Sequence, residues 1–324
     1  MIRISHKPIL LLIPVYNDWE SLELLLQHID HLFEQANVHA EVLVVDDASL
    51  LPITETLKSA SFQAINRISV LGLRRNLGHQ RAIAVGLAYI EAKIDCKAVV
   101  VLDGDGEDTP SDVVRLIDQC AREGYEKIVF ARRTQRSETQ VFKLFYVLYK
   151  WLYKLLTGQE ISVGNFSIIP SKILTRIVVV SEIWNHYAAG ILKAKIPCTY
   201  LPCKRGTRLA GQSKMNLVNL IIHGLSAISI YGDLIGVRAL IATCILMLFS
   251  MTAIAVVVAV RVAVPNWAPY VAGLSFIILL QSMAISLSFA FLILNGRNNF
   301  GFLPQRDYHY FVLKVEQIFP NLFT

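Results

Sequence analysis

The sequence lacks the glycine-rich phosphate motifs of the most familiar nucleotide-binding folds. Neither G-x-G-x-x-G nor G-x-x-x-x-G-K-[ST] occurs in its 324 residues, which argues against a dinucleotide-binding fold and a P-loop NTPase. Helix-turn-helix, zinc-finger and RNP-like patterns are missing as well. No nucleic-acid partner is therefore predicted, although the net charge is +6.

Cysteine is scarce, and its spacing points to no bound metal or disulfide framework. The chain has five cysteines, and no two of them form a C-x-x-C pair. A zinc site of that spacing and a disulfide-stapled scaffold are therefore not predicted. A reducing compartment is the simpler interpretation for the polar part of the chain.

Charged residues are missing from two long stretches, 239–260 and 270–294. Each stretch is long enough to cross a hydrocarbon core of roughly 30 Å as a helix. The chain between them carries one cation, Arg261, whereas Lys and Arg are frequent on the outer flanks. By the positive-inside rule, both flanks are cytoplasmic and the connecting loop faces outward. The sequence thus predicts a multi-pass membrane protein with a two-helix transmembrane hairpin, whose basic flanks suit an anionic membrane surface.

The polar part of the chain alternates predicted strands with predicted helices. Strands are expected at 9–13, 41–47, 68–73, 98–102 and 127–131, a further strand at 164–170, and helices at 21–33, 82–91 and 112–123. This order predicts an α/β fold with a mainly parallel sheet and helices on both faces. Because parallel strands end at one edge of a sheet, polar residues that follow them are expected to form a ligand site there.

The most informative stretch is Val99-Val-Val-Leu-Asp-Gly-Asp-Gly-Glu-Asp-Thr-Pro110. An apolar run typical of a buried strand leads directly into carboxylates separated by glycine. Asp103 and Asp105 alternate, so both side chains can point into one concavity at the end of the strand. Two close oxygen ligands suit Mg²⁺ or Mn²⁺ held jointly with a substrate diphosphate. A solvated acidic turn is the open alternative, whereas an EF-hand is not matched because its twelfth position is Val114 rather than Glu.

Three further segments indicate contact with lipid or phosphate. Residues 140–156 mix aromatic side chains with lysines, a composition typical of a helix in the lipid headgroup zone, with a buried helix as the alternative. Residues 215–235 predict a second interfacial helix. Residues 204–214 contain four cations, two glycines and two hydroxyls, which suits phosphate oxygens. The alternative interpretation of residues 204–214 is that their positive charge only sets the orientation of the protein in the membrane.

Five motifs occur in order between residues 13 and 214. They are Ile13-Pro-Val-Tyr-Asn-Asp18, Val44-Val-Asp-Asp-Ala-Ser49, Arg75-Asn-Leu-Gly-His79, Leu102-Asp-Gly-Asp-Gly-Glu-Asp108 and Arg208-Leu-Ala-Gly-Gln-Ser-Lys214. Together they resemble the family 2 glycosyltransferases with the GT-A fold. The branch most similar to this sequence is that of the polyisoprenyl-phosphate glycosyltransferases, which includes dolichyl-phosphate mannose synthases and bactoprenol glucosyltransferases.

The resemblance implies a role for each motif. Donor binding falls to Pro14, Tyr16, Asp18, Asp47, Arg75, Asn76, Asp103 and Ser213. Within this set Asp47 is expected to contact the nucleoside base, and Asp103 to face the ribose and diphosphate. Asp105 is expected to be the main ligand of Mg²⁺ or Mn²⁺, and Glu107, where the family usually has Gln, adds a second oxygen ligand. Asp103, Asp105, Asp108, Arg208 and Lys214 form the expected catalytic set.

The implied reaction is an inverting transfer of one sugar from a UDP- or GDP-sugar to a polyprenyl phosphate. Such an acceptor is already anionic at pH 7, so stabilising the departing diphosphate is the main task of the enzyme. An acceptor hydroxyl would instead need a carboxylate base, for which Asp108 and Glu182 are the candidates. A processive polysaccharide synthase is an alternative, but its Q-x-x-R-W motif and additional spans are not found. A non-catalytic membrane scaffold on a transferase fold is the alternative of another class.

The sequence predicts four regions. They are a cytoplasmic GT-A domain at 1–214, a juxtamembrane amphipathic helix at 215–238, two transmembrane helices at 239–260 and 270–294, and a cytoplasmic tail at 295–324. The short anchor is compatible with a bacterial inner membrane, and related hairpin-anchored enzymes make a homo-oligomer a reasonable expectation.

Overall fold

A mixed sheet organises the larger part of the protein. The computed structural model describes residues 7–133, 140–159, 162–211, 217–263, 268–297 and 301–320. The strands in these ranges are β1 (Ile9–Val15), β2 (Ala40–Asp46), β3 (Ile65–Leu73), β4 (Ala98–Val101), β5 (Ile128–Arg133), β6 (Ser167–Pro170), β7 (Cys198–Cys203) and β8 (Val312–Phe319). Their order in the sheet is β7-β5-β6-β4-β1-β2-β3-β8. Only β6 and β8 run antiparallel to their neighbours, which confirms the predicted mainly parallel sheet.

Helices connect most of the strands. They are α1 (Trp19–Gln35), α2 (Glu55–Ser59), α3 (His79–Lys93), α4 (Pro110–Arg122), α5 (Gln140–Thr157), α6 (Ser171–Ile177), α7 (Tyr187–Lys193), α8 (Leu217–Ser229), α9 (Gly232–Ala263), α10 (Ala268–Arg297) and α11 (Pro304–Asp307). Each predicted helix at 21–33, 82–91 and 112–123 is present, and the observed bounds differ by three residues or fewer at each end.

The apolar strands are buried because helices cover both faces of the sheet. All seven residues of β1 are buried. Alternate residues of β1 point to opposite faces, so Leu11 and Ile13 pack with α1 and α4, whereas Leu10 and Leu12 pack with α3, α6 and α7. Gly86 permits close packing of α3, since an added Cβ would lie 2.5 Å from Cδ1 of Leu12. Because β1 is buried on both faces, its sequence is a continuous apolar run rather than an alternation of apolar and polar residues.

The chain beyond residue 300 returns to the sheet. The sequence predicts a tail at 295–324, but in the structure Val312–Phe319 forms β8, antiparallel to β3. This strand lies at the edge of the sheet, and four of its eight residues are exposed. Its sequence therefore lacks the long apolar run that marks the central strands.

The predicted single helix at 215–235 is divided in two. The structure ends α8 at Ser229 and begins α9 at Gly232. The hydroxyl of Ser229 donates to the carbonyl oxygen of Ser226 at 2.7 Å. Side-chain bonds of this kind compete with regular helix hydrogen bonds, and glycine weakens helix continuity.

The contacts within the chain define two compact units. The first contains residues 1–145, 161–223 and 300–324, and the second contains 146–160 and 224–299. In the second unit α9 packs against α10, and a Cβ on Gly236 would lie 2.3 Å from Cζ of Phe291. Among the described residues, no single helix meets the length and hydropathy expected of a membrane span. The segments Ile221–Ser229 and Gly232–Thr243, bent by 82°, meet it only as a pair. The transmembrane hairpin thus remains a prediction.

Candidate active site

The acidic motif lies at the carboxyl edge of the central strands. Strand β4 ends at Val101, and the loop from 102 to 109 leads into α4, whose first residue is Pro110. Thr109 caps this helix by accepting a hydrogen bond from the backbone N–H of Asp112 at 3.3 Å. A capped helix with proline in its first turn fixes the end of the loop. Asp103 and Asp105 therefore lie on a short, anchored segment after the carboxyl end of β4, and that end of a strand is where the sequence predicts them.

The cation-rich loop lies directly against the acidic loop. The backbone N–H of Leu209 donates to the carbonyl oxygen of Asp105 at 3.0 Å, and that of Gly206 donates to Glu107 at 2.8 Å. Gly106 adopts φ +84°, and a Cβ there would lie 2.4 Å from Cγ of Leu209. The glycines in both loops thus allow the two backbones to approach closely.

Arg208 connects two predicted site carboxylates. Its Nη1 donates to Oδ2 of Asp105 at 3.1 Å, and its Nη2 contacts Oδ2 of Asp18. Its Nε donates to the carbonyl oxygen of Ala210 at 2.8 Å, which fixes the guanidinium plane. The expected donor-binding residue Asp18 and the expected metal ligand Asp105 therefore meet at one arginine.

The remaining carboxylates of the loop also pair with arginines. Glu107 accepts from Nε of Arg205 at 2.7 Å, and Asp108 accepts from Nη2 of Arg133 at 3.2 Å. Asp108 also accepts from the backbone N–H of Asp103 at 3.1 Å. The site thus consists largely of carboxylates that are paired with arginines. Its guanidinium groups can also donate hydrogen bonds to a diphosphate.

Burial makes ionisation of two site carboxylates unfavourable. It raises the pKa of Asp103 to about 6 and that of Asp108 to about 7. The negative charge of Asp105 raises the pKa of Asp103 further, and that of Asp103 raises the pKa of Asp108 further. The positive charge of Arg133 opposes both shifts. The raised pKa of Asp108 thus makes this carboxyl take up a proton more readily than an ordinary aspartate.

Asp47 is held by the backbone of the loop that precedes α3. Its Oδ1 accepts from the N–H of Leu77 at 2.6 Å, and its Oδ2 accepts from that of Gly78 at 2.8 Å. Burial raises the pKa of Asp47 to about 6. Both oxygens thus position this loop, and contact between Asp47 and a nucleoside base stays a prediction.

The loops after β1 and β2 enclose a cleft beside Arg208. Asn17 adopts φ +52°, and its Oδ1 accepts from the N–H groups of Leu50 and Leu51 at 2.7 and 2.9 Å. A cleft of about 330 Å³ is lined by Asn17, Asp18, Trp19, Glu20, Leu51, Pro52, Thr54, Arg208 and Gly211. Tyr16 is 37% exposed at the end of β1, and Pro14 is buried within that strand.

The other predicted residues are less closely connected to this site. Arg75 and Asn76 are exposed on the loop after β3, where the charge of Arg75 acts on Asp47. Glu182 forms an ion pair with Lys193 at 3.3 Å. Ser213 and Lys214 lie outside the described residues.

Sequence reasoning did not identify three residues that contact the acidic loop or its neighbours. Arg133 is the last residue of β5, two residues beyond the end of the predicted strand. A cation at the carboxyl end of a strand could have indicated its place in the site. Asn165 precedes β6 and hydrogen-bonds to Asp103 through its side chain. Gln80 donates from Nε2 to Oδ1 of Asn165 at 2.9 Å. Because β6 is antiparallel, its beginning lies at the edge where β4 ends, which explains how Asn165 reaches Asp103.

The carboxylates suit a metal ion that a substrate helps to hold. Within the described ranges, no three His, Cys, Asp or Glu side chains form a cluster able to hold a metal ion alone. Mg²⁺ is often bound by one or two carboxylates together with substrate phosphates. Asp105 offers one such carboxylate, and Glu107 lies two residues away. Binding of Mg²⁺ or Mn²⁺ at these two carboxylates stays a prediction.

Comparisons with known proteins show which family the chain resembles. A glycosyltransferase of unknown function from Bacillus subtilis is 28% identical over 227 residues, which are 68% of this chain and 67% of the relative. The undecaprenyl-phosphate 4-deoxy-4-formamido-L-arabinose transferase of Photorhabdus laumondii is 26% identical over 76% of this chain and 78% of the relative.

A solved structure shows a similar fold. The glucosyl-3-phosphoglycerate synthase of Mycobacterium tuberculosis, in complex with Mn²⁺, UDP and glucosyl-3-phosphoglycerate, matches with a TM-score of 0.50 and 16% identity. The match covers 71% of this chain and 80% of that structure. It shows a GT-A-like fold. Residues 11–184, which are more than half of the chain, match the sequence profile of glycosyl transferase family 2. The chain therefore belongs to glycosyl transferase family 2.

Proposed function

We propose that this glycosyltransferase is anchored in a membrane and moves one sugar from UDP- or GDP-sugar to a polyprenyl phosphate, with inversion at the anomeric carbon. The observation that carries the proposal is the meeting of Asp18, Asp105 and Arg208 at the carboxyl edge of the sheet. Relatives named undecaprenyl-phosphate transferases support the acceptor.

The charges of the site suit departure of a nucleoside diphosphate. An oxygen of the acceptor phosphate forms a bond to the anomeric carbon, while the bond from that carbon to the donor diphosphate breaks. The electron pair of the broken bond leaves with the diphosphate. Arg205 and Arg208, which pair with Glu107 and Asp105 in the structure, can turn their donors toward the departing oxygens. Mg²⁺ or Mn²⁺ bound at Asp105 would supply further positive charge to the diphosphate.

Exposed apolar surface supports the membrane anchor. Val147, Trp151 and Leu155 repeat every four residues along α5 and are each more than half exposed. Helices α9 and α10 also expose large apolar side chains, among them Ile245, Leu248, Phe249, Leu274, Leu279 and Ile285. So many exposed large apolar side chains along neighbouring helices are unusual in a water-soluble protein. We infer that this apolar surface contacts lipid, with the catalytic unit on the cytoplasmic side of a bacterial inner membrane.

One observation favours a second candidate, transfer to a hydroxyl group. Such an acceptor must lose a proton, and a pKa of about 7 makes Asp108 the best suited carboxyl of the loop to accept it. Its ion pair with Arg133 opposes this role because a cation stabilises the carboxylate and so makes it a weaker base.

Donor binding tests the proposal. Equilibrium binding of UDP and GDP to the full-length protein in detergent, with and without Mn²⁺, should show metal-dependent affinity for one nucleotide. Asp105→Asn should remove the metal dependence, while Asp118→Asn, an exposed change on α4, should not. Absence of nucleotide binding to the unmodified protein contradicts the proposal.

A further inference from the structure

Three histidines from distant parts of the chain meet in the first unit. His79 is the first residue of α3, His186 precedes α7, and His223 lies in α8. The rings of His186 and His223 stack with centroids 4.6 Å apart and an interplanar angle of 28°. The rings of His79 and His223 are 5.4 Å apart, with an angle of 41°. We call these three residues the histidine cluster.

The contacts of His186 determine which ring nitrogen carries the proton. Its Nδ1 accepts from the backbone N–H of Ala189 at 3.3 Å, which favours the neutral tautomer with its proton on Nε2. The ring is 3% exposed. Burial, followed by the neighbouring rings of His223 and His79, holds the pKa of His186 well below its usual range. His186 therefore presents an N–H donor at Nε2 without a positive charge.

The chemistry of the cluster favours an anion over a metal cation. No three His, Cys, Asp or Glu side chains in the described parts of the chain, these histidines included, are arranged to hold a metal ion. An anion could accept from the imidazole N–H groups, and its charge would stabilise proton uptake by a neighbouring ring. The cluster extends from the protein surface into the interior, because His79 is exposed while His186 is buried.

Hydrogen bonds connect the histidine cluster to the acidic loop. The backbone N–H of Tyr187, next to His186, donates to Oε1 of Gln80 at 2.6 Å. Gln80 follows His79 in the chain and donates to Asn165 at 2.9 Å. The side chain of Asn165 in turn bonds to the carboxylate of Asp103. The cluster thus lies near the carboxylate that is expected to face the ribose and diphosphate of the donor.

We propose that the histidine cluster binds the phosphate monoester of the acceptor. This inference rests on the proposed function, in which an oxygen of the acceptor phosphate attacks the anomeric carbon of a donor whose diphosphate lies at the acidic loop. The Nε2–H of His186 donates to one phosphate oxygen, and the rings of His79 and His223 surround the others. The chain order supports a lipid source for the phosphate, because His223 is the last residue of the first unit and the apolar unit resumes at Gly224.

Two substitutions separate this role from simple aromatic packing. His223→Gln removes the central ring on α8. His186→Asn removes the Nε2 donor but keeps a side chain that can cap α7. The matched control is His28→Gln, an exposed change on α1. The probes are undecaprenyl phosphate and inorganic phosphate for the cluster, and UDP and GDP for the donor site, measured by equilibrium binding to the full-length protein in detergent.

The expected result is a loss of acceptor binding alone. Both variants should weaken undecaprenyl-phosphate binding by about tenfold or more, as expected for loss of a hydrogen bond to a charged group. Nucleotide binding should stay within about twofold of the unmodified protein, and His28→Gln should change neither. If His186→Asn does not fold, His223→Gln alone decides the question.

Other results would overturn the inference. Unchanged binding of undecaprenyl phosphate in folded variants, with nucleotide binding intact, assigns the histidines to packing. Inorganic phosphate that binds as tightly as undecaprenyl phosphate overturns the lipid source. Failure of the unmodified protein to bind either nucleotide would contradict the proposed function instead. In that case, loss of inorganic-phosphate and undecaprenyl-phosphate binding in both variants would still support an anion site at the histidine cluster.

Discussion

Arg208 donates from Nη1 to Oδ2 of Asp105 at 3.1 Å, across 103 positions of the sequence. The same guanidinium contacts Asp18, so one side chain joins the acidic loop after β4 to the turn after β1. A planar guanidinium can serve two carboxylates at once, which the ammonium group of lysine does less well. Arg208 is therefore central both to the arrangement of the site and to its expected handling of phosphate.

Replacement of Arg208 should reduce turnover more than it reduces stability. Arg208→Lys keeps the charge but loses the forked geometry, and Arg208→Met loses both. A charge-assisted hydrogen bond contributes about 1.5–3 kcal/mol, so kcat/KM should fall by roughly tenfold to a hundredfold in Arg208→Met, with a smaller decrease in Arg208→Lys. Steady-state kinetics with the preferred donor measure the effect. Arg67→Met, a surface change, is the control, and equal losses in all three variants would contradict the assigned role.

Asp108→Asn should stabilise the protein most at high pH. The pKa of Asp108 is about 7 in the folded protein and near 3.8 when the chain unfolds. The folded state thus binds more protons between these values, and its stability decreases as pH rises through this window. Asparagine lacks this titration. We therefore subtract the melting temperature of the unmodified protein from that of Asp108→Asn at each pH. This difference should be more positive at pH 8 than at pH 5, by on the order of 2 °C or more.

The matched control for this pH effect is Asp118→Asn on the same helix, at an exposed position. Its melting temperature relative to the unmodified protein should not vary between pH 5 and pH 8. The difference in melting temperature between Asp108→Asn and the unmodified protein could instead be constant with pH, or larger at pH 5. That result would show that the ion pair with Arg133 lowers the pKa of Asp108 at least as much as burial raises it.

Gly106→Ala should disturb the contact between the acidic and cation-rich loops. Gly106 and Gly211 both have positive φ, so alanine strains the backbone at either position. Among the described residues, an added Cβ at Gly106 meets Leu209, whereas none of them lies within 4 Å of such a Cβ at Gly211. Thermal unfolding should therefore show a larger loss for Gly106→Ala than for Gly211→Ala. Leu209→Ala should recover part of that loss in the Gly106→Ala background, and no recovery would mean that backbone strain alone is responsible.

Asp47→Asn should destabilise the loop before α3. Asparagine keeps one acceptor oxygen and places an NH₂ group against either Leu77 or Gly78, whose N–H groups now donate to Asp47. A buried donor left without an acceptor costs about 1–3 kcal/mol. Chemical denaturation should show this loss at pH 7.5, where the aspartate is mostly ionised. Asp95→Asn, at an exposed surface pair with Lys7, should change stability little, and an equally stable Asp47→Asn would argue against a positioning role.

Much of the fold follows from local patterns in the sequence. The apolar runs at 9–13 and 98–102 correspond to β1 and β4, and the carboxylates after them lie at the expected edge of the sheet. These features depend on residues that are neighbours in the chain. The edge strand β8 was not predicted because its exposed side chains interrupt the apolar pattern.

Features made by distant residues could not be predicted from local patterns. The bond from Tyr187 to Gln80 spans 107 positions, and that from Gln80 to Asn165 spans 85. The histidine cluster likewise forms only when α3, α7 and α8 are brought together by the fold. A single histidine or glutamine within a helix pattern gives no indication of such partners.

The central claim is that Asp105 supports transfer of one sugar to a lipid phosphate. The most direct test incubates the purified protein in detergent with undecaprenyl phosphate, Mn²⁺ or Mg²⁺, and each of a panel of radiolabelled UDP- and GDP-sugars. The label is then followed into the organic phase. We predict metal-dependent transfer of a single sugar from one donor, with loss in Asp105→Asn and retention in Asp118→Asn. Donor hydrolysis without a lipid product, or equal transfer by Asp105→Asn, would contradict the account.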